Sequence, residues 1–90
     1  MVIALKFVRE KAFDSKIKTI SRTYRRMDEL DRAIEWGLSH NPKQFYNICD
    51  EFYLWKTDKL IDEIPQLRIL YKYIEAARTV YLIAVDEVKD

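Results

Sequence analysis

The chemistry this chain could perform rests first on cations set into apolar runs. Arg68 stands second in LRILYKYI, between Leu67 and Ile69, in the opening half of a strand whose other charged residue is Lys72. If Lys56 on a neighbouring strand and Lys72, four residues on and pointing to the same side, approach it, the three make a cationic hollow able to hold a phosphodiester. A guanidinium there would meet phosphate oxygens with two parallel hydrogen bonds and stabilise the charge that builds during cleavage. The plainer alternative pairs Arg68 with Asp86 or Glu75 across a hairpin.

A second group of cations, Lys16, Lys18, Arg22, Arg25 and Arg26, contains no intervening acid. Lys16, Arg22, Arg25 and Arg26 are accordingly candidates for nucleic-acid contact, against the alternative of an ordinary solvated helix face. Six tyrosines add the further option of stacking bases on a sheet, or of packing beneath helices.

Other chemistries find little support. His40 is the one histidine, beside Asn41-Pro42 at a predicted helix end, where an imidazole serves the last carbonyls. The single cysteine, Cys49, gives neither a disulfide framework nor a Cys-based zinc site, and one glycine, Gly37, leaves no phosphate-binding glycine loop. The acids of the C-terminal half have no spacing characteristic of a magnesium site. No metal or cofactor is expected.

The elements that must position these residues follow from periodicity. Phe13, Ile17, Ile20, Tyr24 and Met27 recur at spacings of four and three and predict one helix stripe. A second helix is expected from near Asp28 or Asp31 to Asn41-Pro42, with Leu30, Ile34 and Gly37 or Leu38 inward and Trp36 at its edge. Pairing the two as a hairpin would hide both stripes. Residues 2–8 read as a first strand, Phe52 to Lys56 as another, and LRILYKYI and TVYLIAV as a hairpin joined by EAAR. In the last strand alternation sets Val80, Leu82 and Ala84 against Tyr81, Ile83 and Val85, and its apolar residues on both faces predict an interior place in the sheet. The expectation is a single α+β domain over residues 1–90, a small antiparallel sheet of three or four strands packed against an N-terminal helical hairpin.

Composition agrees with that class. In 90 residues, 49% apolar and 34% charged with one glycine and two prolines, an ordered domain is favoured over a disordered tail. The net charge of +1 conceals ten cations against six acids through Lys43 and six against nine after it. The apolar stretch before Lys6 is too short for a signal-peptide core or a membrane span, so a soluble cytoplasmic protein is expected.

In the order of its motifs the chain resembles the RelE/ParE superfamily of small bacterial toxins. The matching positions are Phe13 to Ile17 with Lys16, Asn41-Pro42, Leu54 to Lys56 or else Lys59-Leu60, Leu67 to Tyr71 with Arg68 in the arginine position, and Asp86-Glu87-Val88. The resemblance implies a curved antiparallel sheet with a helical hairpin on one face, and a cognate antitoxin as partner. It implies for many members metal-independent cleavage of messenger RNA on the ribosome by the nucleotide's own 2′-hydroxyl, and for others inhibition of gyrase. Here Val85 stands where one branch has a terminal histidine, Lys89 where an aromatic is common and Lys56 where arginine is frequent. On that pattern the catalytic candidates are Arg68, Lys56, Lys59 and Tyr71, with proton transfer falling to Lys56, Lys59 or Tyr71, and Lys72 as a phosphate contact. The alternative is a catalytically inactive scaffold that binds a protein partner or a second copy of itself.

Overall fold

The computed structural model describes residues 4–58 and 65–88. Among them two helices and five strands follow in the order β1 (Lys6–Arg9), α1 (Lys11–Ser21), α2 (Met27–His40), β2 (Tyr46–Cys49), β3 (Phe52–Lys56), β4 (Leu67–Ile74) and β5 (Thr79–Glu87). The strands form one sheet in the order β1-β5-β4-β3-β2. All neighbours run antiparallel except β1, which lies parallel to β5, a pairing open to it because two helices and three strands intervene between the two in the chain.

The helices cover one face of the sheet. Phe13, Ile17 and Ile20 of α1 and Met27, Leu30, Ile34 and Leu38 of α2 pack with Tyr53, Leu67, Ile69, Tyr71, Tyr73, Val80, Leu82 and Val85 into one core. The predicted α+β arrangement is therefore present, with a five-stranded sheet in place of three or four strands. The added strand is β2, an exposed strand whose turn back into β3 uses Asp50 at φ 46°, a left-handed conformation that aspartate tolerates.

The expected stripe from Phe13 to Met27 is divided between two helices. Helix α1 stops at Ser21, and the backbone N–H groups of Arg22 and Thr23 bond three residues back to Thr19 and Ile20. Like charges at Arg22, Arg25 and Arg26 stand at the spacing where they repel on a helix, and Thr19 and Ser21 divert their hydroxyls to the carbonyls of Ser15 and Lys18. Met27 opens α2 instead, which ends at Asn41-Pro42 as predicted.

One irregularity sets which residues face out. Between the pairs Tyr71–Leu82 and Leu70–Ala84, β5 carries one extra residue, Ile83. Strict alternation would put Ala84 inward and Val85 outward; the bulge reverses this, burying Val85 with Val80 and Leu82. β5 lies inside the sheet, as its apolar composition predicts.

Arg9, unremarked in the sequence, ties β1 to α2. Its guanidinium donates to Asp31 at 2.7 Å and to Glu35 at 2.8 Å while lying 5.5 Å from the centre of the Phe13 ring. Burial opposes its charge, but the two carboxylates outweigh that and raise its pKa further above the ordinary arginine value.

Candidate functional site on the open sheet face

Three cross-strand rows lie on the face of the sheet that the helices leave uncovered. Lys56, Arg68 and Asp86 form the first, Tyr46, Leu54, Leu70 and Ala84 the second, and Phe52, Lys72 and Tyr81 the third. Directly opposed side chains in a sheet stand about 5 Å apart at Cβ. Arg68, Lys56 and Lys72 thus share one face, with Arg68 and Lys56 adjacent.

Arg68 is held at the start of β4 by a local clamp. The buried Thr57 exchanges both main-chain and side-chain bonds with Leu67, its N–H donating to the Leu67 carbonyl at 2.8 Å and its Oγ1 accepting the Leu67 N–H at 2.8 Å. Gln66 adds a bond from Nε2 to the Thr57 carbonyl. With the backbone fixed on both sides, the Arg68 side chain projects into solvent.

Both acids that could have neutralised Arg68 are engaged elsewhere. Asp86, opposite it in register, lies 3.9 Å from the Lys16 ammonium, and Glu75 pairs with Lys43. Among the described residues Arg68 makes no ion pair and is exposed. An arginine so placed keeps its two-pronged donor set available to an anion.

The other candidates separate. Tyr71 faces the helices, fully buried, with its hydroxyl donating to the Pro42 carbonyl at 2.6 Å. Burial first, and the neighbouring Tyr53 second, push its pKa far above the ordinary phenol value. It therefore stands away from Arg68, as an internal strut. Lys59 lies outside the described residues.

Lys16 is exposed on α1 and reaches the rim of the open face through Asp86. Arg22 and Arg25 are exposed in the turn between the helices, while Arg26 at the start of α2 binds Glu29. That turn is anchored to the end of β5 where Arg68 lies, because the Tyr24 hydroxyl donates to the Glu87 carboxylate. The bond to Glu87 raises the Tyr24 pKa, since ionising the phenol would oppose two negative charges.

Lys72 is the most enclosed of the three cations. Its ammonium lies 5.6 Å from the centre of the Phe52 ring and 6.0 Å from that of Tyr81, and it makes no ion pair among the described residues. Its aromatic neighbours were legible as strand residues, but their flanking of Lys72 depends on the register of three strands. His40 behaves as a helix-end residue, with Nδ1 2.8 Å from the Trp36 carbonyl and its ring against Trp36 at 4.1 Å. Among the described residues no group of three or more His, Cys, Asp or Glu is arranged to hold a metal, and no helix is long and apolar enough to cross a membrane.

Comparison with known proteins gives a likeness in structure only. No family model matches the chain, and no curated protein does. Among solved structures, a chain of the intact E. coli RelBE toxin-antitoxin complex superposes with a TM-score of 0.70 at 13% identity, over 97% of this chain and 100% of that one. The helical pair laid on a mixed five-stranded sheet is a RelE/ParE-like fold.

Proposed function

We propose that this chain is the toxin of a toxin–antitoxin pair and acts on messenger RNA at the ribosome. The observation that carries the proposal is the adjacency, on the open face of a RelE/ParE-like sheet, of Arg68 and Lys56, both exposed and without an ion pair among the described residues. Arg68 would grip a phosphate while Lys56 and Lys72 add positive charge, and Lys16, Arg22 and Arg25 at the same margin would extend the attraction along the strand. Cleavage would use the nucleotide's own 2′-hydroxyl, with Arg68 stabilising charge on the phosphate and Lys56 as the proton-transfer group on this face.

Induced expression in a bacterial host, with growth and RNA 5′ ends followed together, tests this. Wild type should arrest growth and create new 5′ ends, and Arg68→Ala should do neither while keeping its circular dichroism spectrum. Arrest and cleavage that persist in Arg68→Ala would sink the assignment.

A second reading is favoured by the burial of Tyr71 and Val85, since among the described residues the cross-strand row of Arg68 holds Lys56 and Asp86 but no imidazole or phenol. In it the sheet binds a protein partner without cleaving RNA. Normal growth on expression of soluble, folded chain would select this reading.

A further inference from the structure

The third row of the open face lines a hollow of about 720 Å³ between the sheet and the first turn of α1. Phe52, Tyr81, Ile74 and Ile83 supply apolar walls, and Lys72 is the cation at its sheet side. Lys72 is half-buried and lacks a carboxylate among the described residues, its charge being met only by the two ring faces. A cation over aromatic rings is only partly compensated, so an anionic group entering this hollow would gain a charge-assisted bond in a partly desolvated place.

We propose that this hollow docks a protein segment carrying one carboxylate flanked by apolar side chains, the carboxylate on Lys72 and the apolar groups against Ile74 and Ile83. The inference rests on the protein-binding reading above and is independent of RNA cleavage.

Charge and shape favour such a segment over a nucleic-acid strand. Aliphatic Ile74 and Ile83 give a base neither stacking nor hydrogen bonds, and Lys72 already lies over the Phe52 and Tyr81 rings. Glu10 and Lys11, adjacent at the α1 side of the hollow, offset one another, so the lining carries the net charge of Lys72 alone and matches a single carboxylate better than a run of phosphates. The bulge at Ile83 contributes directly, because Ile83 lines the hollow along with Tyr81.

The test is selection of a displayed random-peptide library on the full chain, with affinities then measured against wild type, Lys72→Glu, Ile83→Asp and Arg68→Ala. Circular dichroism and thermal melts show that each variant is folded, and Ile83→Ser replaces Ile83→Asp if that variant is not. Selected peptides should share an Asp or Glu among apolar residues, lose at least tenfold in affinity on Lys72→Glu and on the position-83 change, and keep it on Arg68→Ala. Peptides that bind all variants equally, or that show no acidic residue, would overturn the docking chemistry while leaving a protein-binding role elsewhere. Recovery of no binding peptide would overturn both. A single-stranded RNA decamer that binds with loss on the position-83 change, where peptides do not, would assign the hollow to nucleic acid instead.

Discussion

Arg68 and Tyr71 stand three residues apart on β4, and the two-residue period of a strand sends them to opposite faces. Arg68→Ala is expected to cost little stability, because the side chain is exposed and makes no ion pair among the described residues, and to weaken RNA binding by tenfold or more through loss of a bidentate contact; gel shift at two salt concentrations checks both the loss and its electrostatic origin. Tyr71→Phe should do the reverse. Removing a hydroxyl that donates to the buried Pro42 carbonyl costs about 1–2 kcal/mol and lowers Tm by roughly 4–8 °C per kcal/mol, without changing growth arrest. Tyr71 also predicts an alkaline limit. Its folded pKa lies above the unfolded value near 10, so the folded chain holds the proton more tightly, and that contribution is intact below pH 10 and declines as pH rises beyond it. Melts across pH 9 to 11 should show a decline that is reduced in Tyr71→Phe. The faces of Arg68 and Tyr71 were legible in the alternation of LRILYKYI; that Asp86 and Glu75 would have other partners was not, since it depends on where Lys16 and Lys43 arrive from distant elements.

Helix α2 and strands β3 to β5 were readable as elements from their runs of helix- or strand-favouring residues and from stops such as Asn41-Pro42 after α2 and the turn of residues 75–78 after β4, although the alternation of β5 held only as far as its bulge. The break between α1 and α2 was harder, because Ile20 and Met27 are both buried and keep a helical spacing across the turn. Strand β2 offered no burial pattern to read, all four of its residues being exposed. The clasp from Arg9 to Asp31 and Glu35 joins elements more than 20 residues apart. Arg9→Met, which keeps much of the packing on Phe13, should destabilise by about 1–2 kcal/mol, an effect held down by the partial exposure of both carboxylates and smaller still in 1 M salt. Urea unfolding of wild type and variant at low and high salt measures it; a salt-independent loss would point to packing instead.

At the scale of the molecule, β1 closes the sheet on the β5 side and is followed at once by α1, so one short strand holds both the sheet edge and the helical layer in place. Removing residues 1–9 would strip β5 of its parallel neighbour, expose its ladder and delete the Arg9 clasp together. The truncated chain is expected to lose cooperative unfolding and to aggregate, as seen by calorimetry and light scattering, although the second helix and the β4–β5 hairpin remain in its sequence. The α+β class and the order of most elements could be foreseen from local periods, while the parallel pairing of β1 with β5 could not, because it is a long-range choice with no local signature.

The extra residue at Ile83 also decides what substitution at the end of β5 can achieve. Because it reverses the phase of the strand, a histidine introduced at 85 would be delivered into the apolar core, whereas one at 84 would emerge on the open side beside Leu70, one row from Arg68. The position that matches the resembled pattern in sequence and the position able to serve the open face are therefore different residues.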